Sequence, residues 1–216
     1  MKLRMESRPF FSSVLALTVL MLAAGPMCCI GQQDNAETIV MIRHGEKPGN
    51  SLGQLTCKGL NRSLALPDVL LRRFGKPDFI YAPNPSVQIS YGGVLYSYVR
   101  PLATIEPTAV RVGLPVNTQI GYTQIGQLQT ALTQPAFAHA RIFVSWEHAY
   151  LNDFARQFLK AYGDDPSVVP EWPNDDYDTI YIFQLAQQNG KPHLSFRMEH
   201  EGLNGSLSDA CPGGQR

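Results

Sequence analysis

The sequence has no excess of charge of either sign: 18 lysines and arginines balance 18 aspartates and glutamates across 216 residues. Its basic residues are not clustered, so it lacks the electrostatic footprint of a nucleic-acid binder. Positive charge at a single pocket remains compatible with a neutral total. No apolar run reaches the ~20 residues a membrane-spanning helix prefers; the run from Phe10 through Ala24 falls short of it. Histidine is sparse, with five in the chain. His139, His193 and His200 are scattered, without the paired spacing of metal ligands, and no metal or cofactor is expected. There is no internal repeat and no linker long enough to separate a second domain.

The first residues have the order of a targeting segment. Lys2, Arg4 and Arg8 form a basic front, Phe10 through Ala24 is almost wholly apolar, and the small residues Ala23, Ala24 and Gly25 follow. That is the pattern of a secretory signal peptide. Cleavage is expected after Gly31 or after Ala24 or Gly25, with Pro26 favouring the later cut. Residues 1–31 are therefore assigned to the signal and 32–216 to one domain, periplasmic or secreted. Cys28 is preceded by Pro26-Met27, which lacks the small residues of a lipidation site. If uncleaved, this segment would be the protein's tie to a membrane. Roughly 185 mature residues are enough to bury a real core. They keep Cys57 and Cys211, which either stay as thiols or, in an oxidising compartment, tie the tail to the loop after the first strand.

The mature chain alternates strands and helices. Thr38 to Ile42 is a β-branched and apolar run, the mark of a strand buried on both faces. Thr56 caps a helix whose apolar face is drawn through Leu60, Leu64, Val69, Leu70 and Leu71, with a kink or break expected at Pro67. Arg72-Arg73-Phe74-Gly75 ends that helix. Asp78 to Ala82 is a short buried strand, completing a βαβ unit of a parallel sheet. Pro83 to Ser86 is loop, and Gly92-Gly93 marks a flexible point before Tyr96-Ser97-Tyr98. Pro101 opens a second helix, placing Arg100 at an N-terminus that favours anions. A further helix ends before Pro135. Ala140 to His148 is a strand ending in a titratable pair, and a helix starts just after it. An acidic loop then leads to a strand at 179–185 and a hairpin turn at Gln188-Asn189-Gly190-Lys191 into an antiparallel edge.

The candidate chemistry sits at the end of the first strand, in Arg43-His44-Gly45-Glu46. A parallel strand that delivers Arg and His at its carboxyl end puts them where open α/β sheets bind ligands. Imidazole can attack phosphorus, and a guanidinium can hold a phosphate in a bidentate grip. Gly45 is expected to let the backbone approach the anion. The same residues also read as a strand ending in a turn, with His44 merely capping it.

Arg43-His44-Gly45-Glu46, Asn50 six places after the histidine, and Leu55-Thr56-x-x-Gly59 resemble the histidine phosphatase superfamily. The resemblance is to the phosphoglycerate mutase-like branch and its small exported bacterial phosphatases. Arg100 with Thr104, and His148 after a later strand, are similar to the family's second arginine and second catalytic histidine. The resemblance implies a three-layer α/β/α sandwich with a mostly parallel central sheet and an antiparallel edge strand. It also implies phosphate-monoester hydrolysis through a covalent phosphohistidine on His44, without a metal. Arg43, Arg100 and His148 would surround the phosphoryl oxygens, as a tetrahedral anion with charge on three equatorial oxygens requires. Asn50, Thr56 and Glu46 fall on the expected substrate-binding side, Glu46 being structural or substrate-facing rather than catalytic.

Two departures from the pattern bear on function. Roughly Pro85 to Val99 is an insertion before Arg100, with Tyr91, Tyr96 and Tyr98 as a possible aromatic lid. No glutamate occurs around Asn117 to Gln124, so the general acid falls to Glu147 first and Glu106 second. A carboxyl at a partly buried strand end is expected to have its pKa raised, although Glu147 also reads as a structural partner orienting an arginine or histidine. The expected partner is a phosphorylated small molecule or phosphoglycan, with substrate identity and oligomeric state open. The alternative is a non-catalytic phosphate- or phosphoglycan-binding domain on the same scaffold.

Overall fold

The computed structural model describes residues 36–50 and 52–213 of the chain. The signal assigned to residues 1–31 lies outside the described residues. Among those described, no helix is long and apolar enough to cross a membrane.

Among the described residues, eight strands and four α-helices follow one another in an α/β order. They are β1 (Ala36–Arg43), α1 (Cys57–Phe74), β2 (Phe79–Tyr81), β3 (Gln88–Tyr91), β4 (Val94–Ser97) and α2 (Arg100–Val112). Next come β5 (Val116–Asn117), α3 (Ile125–Leu132), β6 (Arg141–Trp146), α4 (His148–Tyr162), β7 (Thr179–Gln188) and β8 (Lys191–His200). Six strands form one sheet in the order β5-β2-β6-β1-β7-β8. β5, β2, β6 and β1 run parallel, whereas β7 and β8 are antiparallel additions beyond β1. The antiparallel edge is thus two strands wide. β1 and β2 flank β6 rather than pairing with each other, so the first βαβ crossover skips one strand position.

Strand alternation sorts the core into two layers. Val40 and Ile42 of β1, with Phe143 and Ile80, pack beneath Leu66, Leu70 and Phe74 of α1 and Ile105 and Ala109 of α2. Ile39 and Met41, with Ile142 and Val144, meet Leu128 and Leu132 of α3 and Leu151, Phe154 and Phe158 of α4. Helices on both faces of a mostly parallel sheet make the three-layer α/β/α sandwich.

The buried face of α1 differs from the one drawn by its leucines. Leu60 and Leu64 are exposed, while Gly59, Arg62, Ser63, Leu66, Pro67, Leu70 and Phe74 face inward. A buried arginine and a close backbone crossing rotate the helix away from its most apolar stripe. Pro67 does not break it, because its ring lies in the packed face and only one i→i−4 bond is lost. The insertion before Arg100 is a hairpin: β3 and β4 pair around Gly92-Gly93, both at positive φ.

The C-terminal tail is tied back onto α1. Cys57 and Cys211 form a disulfide with Cα atoms 4.5 Å apart. Asn61 Nδ2 donates to the carbonyls of Ser208 and Ala210, each at 2.8 Å.

Candidate active site

The site is built where β1 and β6 end side by side. Arg43 pairs with Trp146 across the parallel ladder, and the next amide, His44 N–H, still donates to Trp146 O at 2.9 Å. The backbone of the histidine is therefore held by the sheet itself. Gly45 N–H then donates to Thr104 Oγ1 at 2.9 Å, and that hydroxyl donates to Arg100 O at 2.8 Å. These two bonds couple the Arg-His-Gly turn to the first turn of α2.

Gly45 serves packing more directly than it serves an anion. A Cβ on Gly45 would sit 2.8 Å from Gly59 O, and one on Gly59 would sit 2.5 Å from Glu46 O. The two glycines let α1 cross the turn backbone on backbone.

The Arg43 guanidinium is fully buried. Its Nη1 donates to the carbonyls of Asn174 at 2.9 Å and Asp176 at 2.7 Å. The Tyr177 ring lies against it, 3.9 Å from Cζ. Nε and Nη2 are buried without a hydrogen-bond partner among the described residues. Orphaned guanidinium donors of this kind call for an anion, since unsatisfied buried donors cost about 1–3 kcal/mol, more when charged. Burial accordingly pushes the Arg43 pKa down from its usual value.

His44 is 1% exposed. Its Nδ1 lies 2.7 Å from Gly45 O. A carbonyl only accepts, so Nδ1 carries the proton and Nε2 keeps the lone pair. Burial, then the positive charges of Arg100 and Arg43, push the imidazole pKa down to about 3, against the Gly45 hydrogen bond. The ring is neutral at physiological pH, as a nitrogen nucleophile must be. Tyr98 contacts it edge-on at 6.0 Å and Tyr177 at 6.3 Å between ring centres.

Arg100, the first residue of α2, is buried, with Cζ 4.7 Å from the Tyr98 ring centre. The helix starts at Arg100 and carries Pro101 second, one residue earlier than expected. His148 is likewise the first residue of α4 rather than the end of β6. Its Nε2 lies 2.9 Å from Asn174 Oδ1, and its Nδ1 is 2.5 Å from Glu147 Oε1 without hydrogen-bond alignment. Arg43, His44, Arg100 and Glu147 interact electrostatically, and Asn174 bridges Arg43 to His148.

The geometry bears on four of the expected residues, giving Thr56 the expected N-cap and Glu46 the expected structural role. Glu147 is the N-cap of α4: Oε2 accepts from Ala149 N at 2.9 Å and Tyr150 N at 3.1 Å. Burial alone would raise its pKa, but His148 and the capping amides pull it down to about 2. A carboxylate held ionised does not donate a proton near neutrality. Glu106 is exposed on α2, consistent with a solvated helix face. The Thr56 hydroxyl is used by α1, accepting from Gly59 N at 3.1 Å and donating to Glu46 O at 3.3 Å. Glu46 forms a bidentate pair with buried Arg62, at 2.9 and 3.0 Å. Arg62 also meets Glu201, Asp178 and Asn204. Thr56 and Glu46 are thus engaged in holding the turn. Asn50 lies exposed in the loop beyond it.

Residues absent from the expectation complete the surroundings. Tyr177 and Asn174 come from the acidic loop before β7. Because β7 is antiparallel to β1, its beginning lies beside the end of β1, which is the topological signal that could have found them. Lys47, three residues after His44, has its ammonium pKa lowered by partial desolvation and by Arg100 and Arg43. Its place in the same turn was a usable clue. Among the described residues no group of three His, Cys, Asp or Glu side chains is gathered as a metal site.

No family model matches the chain, and no curated protein matches it. Solved structures do. One is a protein from Nakamurella multipartitia named as the phosphohistidine phosphatase SixA, with 14% identity and a TM-score of 0.51, covering 76% of this chain and 96% of that one. A mycobacterial glucosyl-3-phosphoglycerate phosphatase matches at 13% identity and TM-score 0.48, covering 76% and 98%. A phosphoserine phosphatase from Entamoeba histolytica matches at 14% and 0.47, covering 77% and 98%. The likeness to the first gives this chain the histidine phosphatase fold.

Proposed function

On the histidine phosphatase fold, we propose that the protein is a phosphoric monoester hydrolase acting through a covalent phosphohistidine on His44. The observation that carries this reading is the neutral, Nδ1-anchored imidazole beside the orphaned Nε and Nη2 of Arg43. His44 Nε2 attacks phosphorus and the phosphorus–oxygen bond to the leaving group breaks. Water then attacks the phosphohistidine, the phosphorus–nitrogen bond breaks, and inorganic phosphate leaves. Arg43 and Arg100 stabilise the charge on the phosphoryl oxygens, with His148 beside them. The arginines supply the charge a metal would otherwise bring, so the reaction is expected to be metal-independent. The substrate is a phosphorylated small molecule or phosphoglycan. The Cys57–Cys211 disulfide supports export, to the periplasm or outside the cell, of a single domain spanning 32–216.

The placement of Glu147 and Glu106 favours a second reading. With neither carboxyl poised to protonate a leaving group, the site also suits a non-catalytic phosphate-binding domain. Hydrolysis of an activated aryl phosphate in EDTA separates the two, since its leaving group needs no proton. Turnover that vanishes in His44→Ala, with acid-labile, base-stable label trapped on the wild-type protein, is the expected result. Folded protein with neither turnover nor label would establish the binding reading instead.

A further inference from the structure

A cavity at the opposite end of β1 has chemistry that the phosphoryl site does not use. Glu37 is six residues before Arg43, roughly 20 Å away along an extended strand. It lies on the same face as Ile39 and Met41, where an apolar residue would continue the core. Its side chain is nonetheless buried, 3% exposed, and Oε1 has no hydrogen-bond partner among the described residues. The carboxyl lines a cavity of about 350 Å³ shared with His139, Tyr162, Pro135, Leu185, Gln187 and Pro192.

The lining decides what ligand would fit. Tyr162 from α4 and His139 from the turn before β6 are the other titratable groups, and β7 and β8 contribute only uncharged residues. Among the described residues that line the cavity, no lysine or arginine neutralises the carboxylate. Burial therefore pushes its pKa up to about 8. A ligand with a positive head would meet the charge of the Glu37 carboxylate, and an aliphatic stem would lie along Pro135, Leu185 and Pro192. A bare metal ion is a poorer match, because no ligand cluster is gathered among the described residues.

We propose that this cavity binds a small aliphatic ammonium ion through the Glu37 carboxylate. Glu37 must ionise to hold it, so binding releases a proton. An alkylammonium stays charged well above neutrality, as lysine does. Affinity should therefore rise about fiftyfold from pH 6 to pH 8 and level off above that.

The test is calorimetric titration of the full chain with butylammonium chloride at pH 6 and 8, in two buffers of different ionisation heat. Saturable binding, tighter at pH 8 and with buffer-dependent heat showing proton release, is the expected result. Glu37→Gln should abolish it, with folding checked by thermal melting. Leu185→Phe fills the cavity while leaving the carboxyl in place, and should also abolish it. n-Butanol, matched in shape but uncharged, should not bind comparably. The proposal is overturned by absence of saturable binding to the wild type, by equal binding to folded Glu37→Gln, or by affinity equal for butanol and butylammonium.

Discussion

Gly59→Ala sets two physical effects against each other, and the structure says which one wins. In a helix interior, alanine is better than glycine by up to about 1 kcal/mol. Gly59 is the third residue of α1, so helix propensity alone predicts a small gain in stability. The added Cβ, however, would lie 2.5 Å from Glu46 O and 2.8 Å from Glu46 N. Ordinary carbon–oxygen contacts begin near 3.3 Å, so the atoms are about 0.8 Å too close. Both are backbone atoms of the turn that follows His44, pinned by Thr56 and Thr104, and neither can rotate away. Overpacking costs about 1–3 kcal/mol, and two fixed backbone contacts under 3.0 Å put it in the upper part of that range, about 2–3 kcal/mol, leaving a net loss of about 1–2 kcal/mol. At roughly 2–4 °C per kcal/mol for a domain of this size, Tm should fall by about 2–8 °C. The turn must also move, and a misplacement near 1 Å at a reacting centre costs about a hundredfold in rate. Scanning calorimetry and aryl phosphate turnover on one preparation measure both effects. A Gly59→Ala protein as stable as the wild type and equally active would show that α1 does not cross the turn this tightly.

Three further outcomes are expected. Glu147→Gln should slow hydrolysis of aryl and alkyl phosphates by similar factors, because the carboxylate caps α4 and is held ionised near pKa 2; a much larger loss on the alkyl ester would restore it as the general acid. The His44 pKa is about 3 in the folded state against ~6.5 unfolded, so the unfolded chain binds the extra proton between these values. Stability from this group is full above pH ~6.5 and is lost as pH falls towards 3. Melting from pH 7 to 4 should therefore show a shallower decline for His44→Asn than for the wild type, and parallel curves would contradict it. Reduction of Cys57–Cys211, which closes a separation of 154 residues, should lower stability by about 2–5 kcal/mol. Denaturant melts with and without reductant measure this, and coincident melts would show that the tail is held without the bond.

Elements governed by local pattern were legible in the sequence. β1, β6 and β7 each centre on an apolar run (39–42, 142–144 and 180–183), Thr56 and Gly75 mark the ends of α1, and Gln188 to Lys191 makes its own turn. Arg43, His44, Arg100 and His148 were legible because each adjoins a strand or helix end that aims it. What failed was partner choice, which depends on three-dimensional neighbours. Leu60 and Leu64 looked like a buried face until Arg62 claimed the interior through Glu46, Asp178 and Glu201. Glu147 looked like a partly buried acid, whereas its capping role depended on where α4 begins. Tyr177 was hidden in an acidic loop whose position is set by the antiparallel direction of β7.

The adjacency of β1 and β6 has an evolutionary consequence. His44 and His148 follow neighbouring strands whose register is closed by Arg43 and Trp146, so one hydrogen-bonded ladder anchors the backbone just before each. Nearly all the chain between them, including the β3–β4 hairpin, leaves this pair and returns to it. Lengthening such an excursion changes its closure entropy only slowly and leaves the ladder untouched. The histidine pair can therefore be inherited unchanged while the intervening hairpin drifts, letting insertion alone reshape the surface around one conserved frame.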